Sequence, residues 1–282
     1  MDYNLIHYRA DVWEEAAYEQ LQSTLVARGW PVQDLRFDPR SVILGLVLDL
    51  DHGNLVKADR FGFIKQATHG TRDLDFDTRR ALYAHSLVDL RDDRWAFANT
   101  LFSMSEACMY AQLVDLLDAG RLGETLGYAD LYRIVRASLD QAHMEGSLKS
   151  RIMAKPEDYV VLDPELPLAL QDMAHAGKKL MLITNSEWSY TRAMMCYAFD
   201  GYLSGASWRD LFDLIVVQAR KPAFFTGHQP FFQVVDDAGH LLPHQGDLDR
   251  GVEQRVNRVE NMHLQAIVTG CSNRIVKVGV DF

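Results

Sequence analysis

The sequence holds 282 residues, with 39 Asp and Glu against 29 Lys and Arg for a formal charge of −10, and it is 48% hydrophobic and 24% charged. That balance excludes wholesale disorder and suits one large domain or two smaller ones. No apolar run approaches the ~18 residues of a membrane helix, and the first residues are too polar for a signal peptide. The three cysteines, Cys108, Cys196 and Cys271, are widely spaced, so no disulfide framework is expected and the cytoplasm is the expected compartment. Net acidity argues against nucleic acid as a partner, and an anionic small molecule would need a local positive site.

Residues 11–28 predict an amphipathic helix, with Val12, Ala16, Leu21 and Leu25 near helical spacing and Gly29-Trp30-Pro31 to stop it. A β-rich stretch follows: 42–50 is apolar, Asp51-His52-Gly53-Asn54 is turn chemistry, 55–58 resumes as a strand, and a break at 59–62 precedes another strand at 63–66. Residues 105–117 have the period of a buried helix, with Gly120 placed to cap it. From about Leu131 the pattern alternates between helix and strand. Helices are predicted at 131–143 and 164–175. The apolar run 180–183 reads as a buried strand, runs into Thr184-Asn185-Ser186 and is followed by a helix through Phe199. A second such strand, 214–217, ends at Gln218-Ala219-Arg220-Lys221-Pro222. This order predicts an α/β fold with a doubly wound, mostly parallel sheet and ligands at the carboxyl ends of its strands. Residues 274–282 read as one more strand, and the stretch from Asp236 to Asn273 has no clear pattern.

Three groups of residues are suited to phosphoryl chemistry. A hydroxyl directly after a buried strand, as in Thr184-Asn185-Ser186, can hold phosphate oxygens, although Ser or Asn there could equally cap the next helix. Lys221, at the end of another strand, can neutralise a phosphoryl group or simply be solvated. Asp49-Leu50-Asp51 offers an Asp-x-Asp pair of the kind that supplies a nucleophile and an acid/base. Gly53-Asn54 makes the same segment a hairpin turn, where Asp bonds locally, and that explanation needs less.

Several segments together resemble the cytosolic purine (IMP/GMP-preferring) 5′-nucleotidase family of haloacid-dehalogenase-type phosphohydrolases. They are Asp2-Tyr3-Asn4-Leu5-Ile6-His7-Tyr8, the run GLVLDLDHGNLVKADRFG at 45–62, His69-Gly70, Asn99-Thr100-Leu101-Phe102, Gly146-Ser147-Leu148-Lys149, Ile183-Thr184-Asn185-Ser186 and Ala219-Arg220-Lys221-Pro222. The resemblance implies a core of residues 1–10 and 129–282, an α+β cap inserted at 11–128, and hydrolysis of purine nucleoside 5′-monophosphates through an aspartyl phosphate with Mg²⁺. It assigns Asp2 as acid/base and metal ligand, Thr184 as the hydroxyl of the second motif and Lys221 as the lysine of the third. Substrate contacts carried over are Asn99, Phe102, Arg136, Asp140, His143, Lys149 and Asn185. Phe102 and His143 suit stacking on a purine, and Arg136, Asp140 and His143 fall at i, i+4 and i+7 on one helix face. Without the resemblance, that trio is a solvated face with an i,i+4 ion pair.

Two motifs depart from the family pattern. The nucleophilic Asp would stand just before Met1, and Asn4 replaces the usual Thr. In the fourth motif, Val278-Gly279-Val280-Asp281-Phe282 puts valine where the first Asp belongs, which leaves Asp281 displaced by one as a substitute metal ligand. The expectation is a chain cut short at both ends, or mis-started, with impaired catalysis. The alternatives are a nucleotide-binding or interaction protein without turnover, and a phosphatase using Asp49 and Asp51. Whether the chain forms a homo-oligomer is open.

Overall fold

A computed structural model describes residues 1, 4–98, 103–122, 125–221, 224, 231–243 and 275–278, with the backbone alone at 142–145, 231, 243 and 275–278. In chain order the elements are β1 (His7–Tyr8), α1 (Ala10–Ala27), β2 (Leu46–Asp49), β3 (Asn54–Ala58), β4 (Ile64–His69), β5 (Arg72–Asp73), α2 (Phe76–Tyr83), β6 (Trp95–Ala98), α3 (Met104–Asp118) and α4 (Tyr128–Glu145). They continue with α5 (Ser147–Ala154), α6 (Pro156–Tyr159), β7 (Val160–Val161), α7 (Glu165–His175), β8 (Met181–Ile183), α8 (Trp188–Phe199), β9 (Leu214–Val217), β10 (Phe231–Val234), β11 (Leu241–Pro243) and β12 (Ile275–Val278). The chain divides into two compact units, Arg9–Ile152 and Met1–Tyr8 with Met153–Phe282. Among the described residues no helix is long and apolar enough to cross a membrane.

The unit of Arg9–Ile152 is built on an antiparallel sheet in the order β5-β4-β3-β2-β6. The expected hairpin is there: Asp49 pairs with Asn54, and Gly53 in the turn has φ +68°. All of β2 is buried because both faces of the sheet are covered. Leu46, Leu48 and Leu55 face a core shared with Leu21 and Leu25 of α1, Met109 and Leu113 of α3, and Leu131, Val135 and Leu139 of α4. Val47 and Val56 point the other way, to Ala67, Tyr83 and Trp95. Each fully buried Leu or Val contributes roughly 1.5–3 kcal/mol relative to exposure, so this two-sided packing fixes the register.

Helix α1 ends as its sequence foretells. Gly29, at φ +82°, donates to Val26 O at 2.9 Å, and Trp30 N–H donates to Leu25 O at 3.0 Å, which satisfies carbonyls the helix would otherwise leave open. Helix α4 packs inside this unit through Leu131, Val135 and Leu139, so the unit extends past the expected cap boundary at 128. The apolar period read at 131–143 is real, and the face it buries belongs to α1 and α3.

In the other unit β1 pairs antiparallel with β7, and a second five-stranded sheet runs β11-β10-β12-β9-β8. Here β8, β9 and β12 are parallel neighbours, while β10 is antiparallel to both β12 and β11. The fold is therefore mixed α/β, with one antiparallel and one mixed sheet, and the described residues do not show the doubly wound, mostly parallel sheet expected from sequence. The difference arises from residues 231–243, which have no apolar run of buried-strand length and form a hairpin against β12. The strand expected near the carboxyl terminus is β12 itself.

Candidate active site

Strands β8 and β9 lie side by side, with Met181 opposite Leu214 and Ile183 opposite Val216. Every residue of β9 is buried, as a continuous apolar run in a parallel pair requires. Because the strands are parallel, both carboxyl ends reach the same sheet edge, and the following loops stay laced together. Thr184 N–H donates to Val216 O, Ala219 N–H to Thr184 O and Gln218 N–H to Ser186 O, each at 2.9 Å.

These loops gather three predicted residues at one sheet edge. Thr184 is buried, and its Oγ1 accepts the Ser186 N–H at 3.1 Å. Lys221 reaches back across the loops to donate its Nζ to Ile183 O at 2.9 Å, one residue before Thr184. Asn185 faces the lysine's main chain: Lys221 N–H donates to Asn185 Oδ1 at 2.7 Å, and Asn185 Nδ2 donates to Lys221 O at 3.3 Å. Helix α8 begins at Trp188 with Glu187 in the N-cap position and no side-chain cap, so the capping alternative for Asn185 and Ser186 does not describe this loop. Gln218 (φ 49°) and Arg220 (φ 57°) are the two non-glycine residues with left-handed backbone among the described residues. Such residues are strained and concentrate where function over-determines the backbone. No compositional signal marks them.

The other predicted residues belong to the Arg9–Ile152 unit or lie outside the described residues. Arg136 and Asp140 lie on α4 in the Arg9–Ile152 unit, where Arg136 Nε is 3.6 Å from Asp140 Oδ1. Sequence reading missed their partner Glu106, in the first turn of α3, whose Oε2 accepts from Arg136 Nη1 at 3.2 Å. Burial pushes the Glu106 carboxyl above its ordinary range, and the Arg136 charge offsets that only in part. Its Oε1 has no hydrogen-bond partner among the described residues. Lys149 is half-buried on α5. Asp2, Asn99, Phe102 and Asp281 lie outside the described residues, as does the His143 side chain.

Asp49 is a structural residue. It is fully buried, and its oxygens receive Arg94 Nε at 2.8 Å, Arg94 Nη2 at 2.7 Å, Tyr83 OH at 2.7 Å and Asp51 N–H at 3.2 Å, with His52 Nδ1 at 3.0 Å. Burial raises its pKa, but the Arg94 and Tyr83 hydrogen bonds and the charges of Arg94 and His52 outweigh burial and hold the carboxyl below its usual value. Asp51 points to solvent. A carboxylate bound this way has no lone pair to offer phosphorus, so the Asp-x-Asp pair gains no support as a catalytic pair.

The resemblance implies Mg²⁺ held by Asp2 together with a fourth-motif aspartate, for which Asp281 is the displaced substitute. Among the described residues no three His, Cys, Asp or Glu side chains converge as a metal site.

A mixed α/β chain whose adjacent parallel strands end in a buried hydroxyl and a lysine suits a phosphate-handling enzyme. A sequence profile of the 5′ nucleotidase family matches residues 1–271, and the chain belongs to that family. A 5′-nucleotidase domain-containing protein of Dictyostelium discoideum is 28% identical over 246 residues, covering 82% of this chain and 40% of that protein. The chain thus spans well under half the length of this curated relative.

Proposed function

We propose that the chain takes part in hydrolysis of purine nucleoside 5′-monophosphates to nucleoside and phosphate, on a core of the haloacid-dehalogenase type. The observation that carries this is the meeting of Thr184 and Lys221 at the ends of two neighbouring parallel strands. In the reaction an aspartate oxygen bonds to phosphorus as the P–O5′ bond breaks, and Asp2 gives its proton to the departing O5′. Asp2 then takes a proton from water as that water attacks phosphorus, and the aspartyl–phosphorus bond breaks to release phosphate. The Thr184 hydroxyl donates to a phosphoryl oxygen, and the Lys221 ammonium offsets the charge that the transferring group carries. By resemblance, base recognition belongs to Asn99, Phe102, Arg136, Asp140, His143 and Lys149, and a Mg²⁺ requirement comes with the reaction.

In the family's first motif the attacking aspartate corresponds to the position before Met1, so on this reading turnover depends on an aspartate at that position. The test compares the 282-residue chain with one extended at its N-terminus by an apolar strand ending in Asp. Both are assayed for phosphate release from IMP or GMP with and without Mg²⁺, and for thermal stabilisation by the same nucleotides. The expected result is stabilisation of both and Mg²⁺-dependent release from the extended chain alone. Stabilisation with no release from either makes the chain a nucleotide-binding protein without turnover. Release by the 282-residue chain that Asp49→Asn abolishes moves the chemistry to the Asp49 pair. Neither stabilisation nor release overturns the proposal.

A further inference from the structure

We propose that Asn185 is the positioning residue for Lys221, gripping the lysine's own main chain and so fixing where its ammonium points. The inference rests on the phosphate-binding role given to Thr184 and Lys221 above. An asparagine carboxamide presents a donor and an acceptor side by side, as a peptide does, and here both are spent on one residue: Lys221 N–H donates to Oδ1 at 2.7 Å and Lys221 O accepts from Nδ2 at 3.3 Å. The side chain acts as one more rung between the loops, continuing the ladder made by Ala219 N–H to Thr184 O and Gln218 N–H to Ser186 O.

The need for such a grip is visible in the backbone. Arg220, directly before the lysine, and Gln218 before it are held at positive φ without being glycine. Left to itself this segment would relax toward ordinary dihedrals and carry Lys221 with it. With its main chain anchored at Asn185, the lysine side chain can return to Ile183 O at 2.9 Å, beside Thr184. A cation fixed before the ligand arrives loses little rotamer freedom on binding, which raises affinity without any new contact. An Asn185 whose amide is already spent on the main chain does its work on phosphate through Lys221.

A double-mutant cycle on inorganic phosphate affinity tests this, using the 282-residue chain, Asn185→Ala, Lys221→Ala and the double variant, with folding checked by far-UV dichroism and melting. Asn185→Ala is expected to weaken phosphate roughly tenfold when Lys221 is present and to change nothing in the Lys221→Ala background, the coupling expected of residues in direct contact. Amide hydrogen exchange gives a readout independent of phosphate: Lys221 N–H is protected in the unaltered chain and loses that protection in Asn185→Ala. Should Asn185→Ala fail to fold, Asn185→Ser, which keeps an oxygen but not the paired donor and acceptor, replaces it in the cycle. Equal losses from Asn185→Ala in both backgrounds would show that Asn185 meets phosphate itself, and no loss in either would show that it does nothing for binding. Each result overturns the inference while leaving the phosphate-binding reading intact. Phosphate affinity that is absent, or unchanged by Lys221→Ala, overturns that reading and the inference with it.

Discussion

Two corners of this molecule carry charged residues at or beyond strand ends and treat them in opposite ways. At the end of β2, Asp49 is wholly buried and its oxygens are shared among Arg94, Tyr83, His52 and the Asp51 amide. At the ends of β8 and β9, Lys221 has no carboxylate within ion-pair distance among the described residues, and its ammonium rests on one backbone carbonyl. The first arrangement spends every hydrogen-bonding site on the protein. The second spends main-chain bonds and the Asn185 amide on holding the loops and leaves the Lys221 charge and the Thr184 hydroxyl proton in hand. Pattern alone offers the Asp-x-Asp segment as a catalytic pair, and Gly53-Asn54 already marks it as a turn. What separates the two corners is how far each polar group is already satisfied.

Breaking the Asp49 corner gives the largest effect. Arg94→Ala strands a buried carboxylate and is expected to remove about 3–5 kcal/mol from the unit of Arg9–Ile152, read by urea denaturation. A loss under about 1 kcal/mol would mean that the corner is not the structural centre described. Next comes the hairpin beside it. A Cβ on Gly53 would stand 2.7 Å from the Tyr128 ring at a φ of +68°, so Gly53→Ala is expected to cost about 1–3 kcal/mol in the same measurement.

The buried acids of that unit give a comparison in pH. Asp49 has a depressed folded pKa, so its stabilisation is present above the unfolded value of about 3.9 and is lost as pH falls through the folded value. Glu106 and Glu14 are raised, both chiefly by burial, and Glu14 stays raised although it accepts Ser105 N–H at 2.7 Å and Met104 N–H at 3.3 Å at the start of α3. Their contribution is full below about 4.3 and fades as pH rises through their folded values. Asp49→Asn should therefore flatten the acid limb of a stability–pH curve, while Glu106→Gln should flatten the decline above it. Melting temperatures from pH 3 to 8 read both, and identical changes in the two variants would refute the assignment.

Much of this was legible in the sequence, and the exceptions share a cause. Leu180 to Ile183 and Leu214 to Val217 announce buried parallel strands by continuous apolarity, and parallel strands necessarily deliver Thr184 and Lys221 to one edge. Gly53 and Gly29 marked their turns by composition. The partners of Asp49 were not legible, because Arg94 stands 45 residues along the chain and Tyr83 stands 34. Glu106 was hidden from Arg136 in the same way, and the carboxylate of Glu14 that receives the α3 amides comes from a different helix. Periodicity reports which face a residue occupies and is silent on which distant element meets it. The hairpin of β10 and β11 against β12 was missed because short strands at a sheet's edge need no long apolar run.

The smallest expected effect on stability is the sharpest test of the contrast. Glycine relieves the roughly 1–2 kcal/mol that a left-handed backbone costs other residues, but it surrenders roughly 0.5–1 kcal/mol of chain entropy on folding. Arg220→Gly should consequently leave the melting temperature unchanged or slightly higher. Arg220 is exposed, and its φ of 57° is the feature the substitution addresses. Loosening the residue directly before Lys221 should nonetheless weaken inorganic phosphate by a few-fold, because an ammonium that is no longer pre-aimed must be ordered when the anion arrives. A substitution that preserves or raises stability while lowering affinity is the signature of strain kept for a ligand. If Arg220→Gly lowers stability and leaves phosphate affinity alone, the left-handed turn is ordinary architecture, and the β8–β9 corner resembles the Asp49 corner more than the contrast allows.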